Sequence, residues 1–188
     1  IKLQEFKFLE KISSQNSILI IDFKGWSDAA EAATSAVDTI IKNYDSKKFA
    51  SFEEEEFFAF ARERPNVKNS KNGRIIEWPH NDLYYIDNAI DNTPLIILNG
   101  TEPHFKWKTF SKEVIDLCVS MNVSSVVTLG ALLDSIPHTR GVKTQITGQH
   151  EFMPEGYTQK KISQSKYEGP TGITSVSYTH LRAHETRR

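Results

Sequence analysis

Val123-Ser124-Ser125-Val126-Val127-Thr128-Leu129 runs into Gly130-Ala131-Leu132-Leu133 and then, after a short spacer, Pro137-His138-Thr139-Arg140. Residues 123–129 read as a short buried strand, and the glycine after them opens a loop that carries a histidine and an arginine. In an open α/β sheet, ligands gather beyond the carboxyl ends of the strands, where a titratable imidazole and a fixed cation are useful. A strand-end site is therefore expected.

Working outward, Val114, Ile115, Leu117, Cys118 and Met121 recur at helical spacing and predict a helix over 110–121. Residues 95–98 are an apolar strand ending in Asn99-Gly100, and 18–23 form an apolar run ending in Lys24-Gly25-Trp26. Ala29, Ala33, Ala36, Val37, Ile40 and Tyr44 then repeat at helical spacing, and Asp28 with Glu31 three residues on resembles a capping box that starts this helix. The acids of 53–56 are expected to face solvent while Phe52, Phe57, Phe58 and Phe60 face inward. Residues 66–73 and 154–166 read as loops, and 75–78 and 83–86 as short strands separated by Pro79. This order predicts an α/β fold with a mostly parallel sheet and crossover helices.

Composition bounds the function. The 188 residues suit one domain, and 23 Lys+Arg against 24 Asp+Glu, spread along the chain, give no electrostatic footprint for nucleic acid. No apolar run approaches the roughly 18 residues of a membrane span. The single Cys118 sits in a helical core pattern, excludes an internal disulfide framework and fits a cytoplasmic location. The expectation is no cofactor and no metal: a dinucleotide fingerprint and a P-loop are absent, and Glu102, His104, His138 and His150 lack recognised metal-ligand spacing.

Three apolar strands end in glycine-containing loops at Gly25, Gly100 and Gly130. If they are parallel, Asp28, Glu102, His104, His138 and Arg140 converge on one edge of the sheet. Each also has a plainer reading. Asp28 suits a helix cap, Glu102 a bond to loop backbone, and His138 a structural imidazole as readily as an acid/base. Arg140 suits an anion, or a carboxylate of the protein such as Glu102 or Glu168. Gly25, Gly169 and Thr171 are candidate ligand-binding positions in tight loops. Trp26, Trp78 and Trp107 are expected in core or sheet-edge packing.

Gly25-Trp26-Ser27-Asp28-Ala29, Arg64-Pro65, Trp78-Pro79, Gly100-Thr101-Glu102-Pro103, Trp107, Phe110, Gly130-Ala131-Leu132-Leu133, Pro137-His138-Thr139-Arg140 and Tyr167-Glu168-Gly169-Pro170-Thr171-Gly172-Ile173 together resemble the proteasome assembly chaperone family in its actinobacterial branch. The resemblance spans residues 18–173. It implies a phosphorylase/hydrolase-like α/β fold. Family members carry labels either of predicted ligases related to the ATP-grasp enzymes or of chaperone-like proteins. Two departures stand out: Gly141 replaces a usual Pro, and His104 a usual Asn, which argues against an obligatory role for His104. The family continues beyond the Gly-Pro-Thr-Gly-Ile segment, so residues 1–175 are expected to form a single domain that is incomplete at its C-terminus.

Residues 176–186, VSYTHLRAHET, resemble a translated sequencing adapter, and 176–188 are expected to be a non-native tail that packs poorly. The chain opens at Ile1 with no initiator methionine, so both ends are expected to be cut, as in a gene fragment.

Two function classes follow. One is a chaperone-like or scaffold protein that binds a protein partner or itself. The other is a small-molecule enzyme, an ATP-dependent carboxylate-amine ligase or a hydrolase. It would hold an anionic ligand on Arg140 and use Glu102 or His138 as acid/base. With no catalytic triad or nucleotide motif visible, the first class is preferred.

Overall fold

The computed structural model describes residues 3–141, 144–146 and 167–185. Two compact units divide the chain: residues 1–132 with 171–188, and residues 133–170. In the first, a six-stranded sheet is built from β1 (Phe6–Phe8), β2 (Ser17–Lys24), β3 (Ser46–Phe52), β6 (Asn81–Ile90), β7 (Thr93–Thr101) and β8 (Val123–Thr128), in the order β1-β3-β6-β7-β2-β8. A separate hairpin joins β4 (Asn66–Ser70) to β5 (Gly73–Glu77). The helices are α1 (Ala32–Asn43), the single turn α2 (Glu54–Phe57), α3 (Trp107–Ser120) and α4 (Ile173–Glu185).

The sheet is not mostly parallel as expected: two of its five strand pairings are parallel. β2 pairs in parallel with β7 and with β8, whereas β1–β3, β3–β6 and β6–β7 are antiparallel. The reason is local. Asp91 and Asn92, both at positive φ (45° and 62°), connect β6 to β7 with Ile90 opposite Thr93. A two-residue turn with both φ positive matches the twist of a hairpin and is too short for a parallel crossover. The expected loop over 66–73 is instead β4 and the tip of its hairpin, and β1 and β3 were absent from the sequence reading.

Strand alternation gives the sheet two apolar faces. Leu19, Ile21 and Phe23 of β2 join Phe110, Val114 and Leu117 of α3 and Ile173 and Leu181 of α4 in one cluster. Ile18 and Ile20 face the other way, with Val37, Ile40 and Ile41 of α1. Phe52 stacks on Phe110 (centroids 4.2 Å apart, 21° between planes), and Phe57 meets both rings edge-on. Truncating a fully buried Phe of this kind costs about 3–5 kcal/mol.

The expectation that residues 176–188 pack poorly does not hold for the described side chains of 176–181. Ile173, Ser177 and Leu181, each four residues apart, are buried along α4, and Ser177 Oγ lies 3.5 Å from Ser111 Oγ of α3. Four-residue spacing puts these side chains on one stripe, and the two small serines let the helices approach.

Candidate functional site

β2 and β7 end level with one another, Lys24 opposite Thr101, whereas β8 ends three residues earlier, with Thr128 opposite Ile21. The loops that follow are joined by backbone bonds. Ala131 N–H donates to Ser27 O (2.8 Å), Ala29 N–H to Ala131 O (3.0 Å) and Glu102 N–H to Lys24 O (2.9 Å). This brings Gly25, Asp28 and Glu102 together at one edge of the sheet.

The carboxylates there are occupied by the protein's own amides. Asp28 is buried and accepts from Ala33 N–H (2.7 Å), Thr34 N–H (3.2 Å) and Thr34 Oγ1–H (2.5 Å) at the start of α1. It is a helix cap, but the capping box with Glu31 does not form. Residues Ala29–Glu31 make a 3-10 turn, Ala30 and Glu31 have positive φ, and Glu31 instead pairs with Lys24 Nζ at 2.8 Å.

Glu102 accepts from Ile173 N–H, the first residue of α4 (2.8 Å), and from Trp26 N–H (3.4 Å). A carboxylate at a helix N-terminus satisfies an otherwise orphaned donor and meets the positive end of the helix dipole. The packing is tight enough to require glycine nearby. At Gly25, where φ is 142°, a Cβ would stand 3.0 Å from Glu102 Cβ. At Gly172 it would stand 2.6 Å from Ser27 Oγ and 2.8 Å from Glu102 Oε1.

The sequence reading passed over a third acid. Asp22 lies in β2 on the α1 face, is fully buried, and neither of its carboxylate oxygens has a hydrogen-bond partner among the described residues. Burial first, then the negative charges of Asp28 and Asp38, push its pKa from 3.8 up to about 8. Beside it in register is Asn99 of β7, whose Nδ2 donates to Asp38 Oδ1 at 3.1 Å. A lone acid inside an apolar strand was the available signal.

The other candidates stand apart. His104 accepts weakly from Ala59 N–H through Nδ1 (3.5 Å) and packs beside Phe58. Thr171 is exposed. His138, Arg140 and Gly169 belong to the second unit and are exposed there. Among the described residues Arg140 forms no ion pair with Glu168; its own N–H donates to Pro137 O (2.9 Å). Tyr167 Oη donates to Pro170 O at 2.9 Å across Gly169. His150 and the 154–166 loop lie outside the described residues.

Trp26, expected in packing, is 70% exposed, and Leu132 on the paired loop is 88% exposed. Trp78 leans on Phe60 (centroids 4.8 Å apart), and Trp107 donates its indole N–H to Pro103 O (2.5 Å). No group of three or more His, Cys, Asp or Glu side chains among the described residues is arranged to hold a metal. No helix among them is long and apolar enough to cross a membrane.

Known proteins fit this architecture. A PAC2 family protein from Streptomyces avermitilis superposes with a TM-score of 0.80 at 30% identity, covering 90% of this chain and 71% of its own. A proteasome-assembly chaperone homologue of Mycobacterium tuberculosis gives 0.75 at 26% identity, covering 89% and 70%. An archaeal proteasome activator from Pyrococcus furiosus shares the fold, with a TM-score of 0.65 at 17% identity over 94% of this chain and 75% of its own. No curated protein matches the chain. The PAC2 family model matches residues 23–186, a span that takes in the end of β2, strands β3 to β8, the strand-end loops and α4. The chain belongs to the PAC2 family.

Proposed function

We propose that this protein is a cytoplasmic, chaperone-like or scaffold member of the actinobacterial branch of its family. In this reading it binds a protein partner through the loops at the carboxyl ends of β2 and β8. The observation that carries the proposal is a division of labour in those loops. Asp28 and Glu102 spend their carboxylates on backbone amides, while Trp26 and Leu132 project into solvent from two loops stitched by backbone bonds. Exposed large apolar side chains on a rigid support favour a protein interface, where aromatic anchors carry most of the binding energy. The relatives from Streptomyces and Mycobacterium support the branch, and the chaperone homologue among them supports a proteasome subunit as partner.

Biolayer interferometry against purified actinobacterial proteasome subunits tests this. Binding by the wild type should weaken at least about tenfold in a Trp26→Ser/Leu132→Ser variant, as for loss of interface anchors. A wild type that does not bind, or a variant that binds equally well, overturns the reading.

A second reading, a ligase- or hydrolase-type enzyme of a phosphorylase/hydrolase-like fold, rests on the exposed Arg140 guanidinium as an anion holder. It predicts thermal stabilisation by nucleotides or small carboxylates that disappears in Arg140→Ala.

A further inference from the structure

Asn-Gly occurs twice in the chain, at Asn72-Gly73 and Asn99-Gly100, and the fold treats the two pairs in opposite ways. Asparagine before glycine is chemically labile, because the next backbone nitrogen can attack the side-chain carboxamide and glycine puts no Cβ in its path. The attack requires the carboxamide carbon to swing onto that nitrogen. Local structure therefore decides whether it occurs.

Asn72 and Gly73 lie at the tip of the β4–β5 hairpin, and both are exposed. Gly73 has a φ of 115°, and among the described residues nothing but its chain neighbours stands within 4 Å of the place a Cβ would take. Ser70 closes the tip: its Oγ–H donates to Gly73 O (2.8 Å), and its Oγ accepts from Asn72 N–H (3.3 Å). Among the described residues β4 and β5 pair only with each other, and every residue of both is exposed. A lone two-stranded ribbon is marginal in water, so its tip opens locally at little cost.

Asn99 and Gly100 are held from both sides. They are buried in β7 between two strands, with Asn99 opposite Asp22 of β2 and Asp82 of β6, and Gly100 opposite Phe23 and Asn81. Asn99 Nδ2 donates to Asp38 Oδ1 (3.1 Å), and a Cβ on Gly100 would stand 2.1 Å from Asn81 Oδ1. Turning the Asn99 carboxamide onto the Gly100 nitrogen breaks the ladder on both sides, which amounts to unfolding the sheet.

We propose that Asn72 is a site of spontaneous deamidation through a succinimide, and that the sheet protects Asn99 in the same dipeptide. The Gly73 nitrogen bonds to Asn72 Cγ, and the carboxamide nitrogen leaves as ammonia, carrying the proton that the Gly73 nitrogen gives up. Water then adds to one of the two ring carbonyls, breaks its bond to the ring nitrogen and returns a proton to that nitrogen. Opening at Cγ leaves aspartate, and opening at the main-chain carbonyl leaves isoaspartate, with the chain running on through the former side chain. Water is the only co-reactant, and nothing is oxidised or reduced. Either product adds a negative charge to a hairpin that holds three cations (Lys68, Lys71, Arg74) and one acid, Glu77. The isoaspartyl form also lengthens the main chain by one carbon between the two groups that Ser70 Oγ ties together. None of this depends on the Trp26 and Leu132 loops.

Peptide mapping by mass spectrometry tests the proposal on the intact chain, held in mildly alkaline buffer made with heavy-oxygen water. Residue 72 should convert to a mixture of aspartyl and isoaspartyl forms carrying one heavy oxygen, at least about a hundredfold faster than residue 99, whose reaction waits on global unfolding. In denaturing urea the two sites should convert at comparable rates, because both are then open. Asn72→Gln should remove the conversion at residue 72 and leave the thermal transition unchanged, since the longer side chain would have to close a larger ring. A residue 72 that stays intact overturns the proposal, as does a residue 99 that converts as fast in the folded chain. Product without heavy oxygen also overturns it, as does a difference between the sites that persists in urea, which would place the protection in the neighbouring sequence and not in the sheet.

Discussion

Replacing Asp22 with asparagine should stabilise this protein at neutral pH, although it alters a fully buried polar residue. In the folded chain the carboxyl is held protonated up to about pH 8 by burial and by the charges of Asp28 and Asp38. In the unfolded chain it ionises near its ordinary 3.8. Between those limits the native state binds one more proton than the unfolded state, so stability falls as pH rises, by up to about 1.4 kcal/mol per pH unit. At pH 7 the accumulated cost is on the order of 4 kcal/mol. Asparagine keeps the shape and removes the ionisation. Allowing about 1–3 kcal/mol for burying its amide leaves a net gain on the order of 2 kcal/mol. Urea unfolding of both proteins from pH 5 to 8.5 measures the difference, in which the other titrating groups cancel. The gain should grow with pH and level off above about 8. A variant that is less stable than wild type at pH 7, or a difference flat across this range, would refute the reasoning.

Two further outcomes follow from the packing. Glu102→Ala should cost about 1–3 kcal/mol, because the Ile173 and Trp26 amides lose their acceptor, while Glu102→Gln, which keeps one carbonyl, should lose less; chemical denaturation ranks the three, and equal stabilities would remove Glu102 from its anchoring role. Gly100→Ala should cost at least about 1–3 kcal/mol, because its Cβ would lie 2.1 Å from Asn81 Oδ1 and 2.3 Å from the His80 carbonyl. An unchanged melting temperature would contradict that geometry.

β2, β7, α1 and α3 were legible because each carries its own signal, a run of apolar residues or a 3.6-residue repeat, and burial explains the pattern; β8 shows the same apolar signal but is an edge strand, half-buried at best, and not the buried strand expected. β4 was not legible, since Asn66-Val67-Lys68-Asn69-Ser70 faces water on both sides and has no periodicity to show. β1 has three residues, and β3 opens with the exposed Lys47 and Lys48 before its buried end. The direction of the sheet rested on strand order, which local pattern does not encode; only the Asp91-Asn92 turn announces an antiparallel pair. At the site, Asp28 was legible as the cap of the helix that follows it, whereas the partners of Glu102 lie 71 and 76 residues away. Asp22 was absorbed into its apolar run, because a pattern that reports burial does not report what the buried group faces.

The bond from Glu102 to Ile173 spans 71 residues, and this separation has a kinetic meaning. α4 gains its anchor only when β7 and the loop after β2 already hold Glu102 in place, and closing so long a loop is entropically slow to be repaid. The helix is therefore expected to dock after the parallel strands have formed. In native-state hydrogen exchange the amides of α4 should open through a sub-global route, ahead of those of β2 and β7. Each such opening would uncover the part of the Leu19, Ile21 and Phe23 side that Ile173 and Leu181 cover, while α3 stays in place.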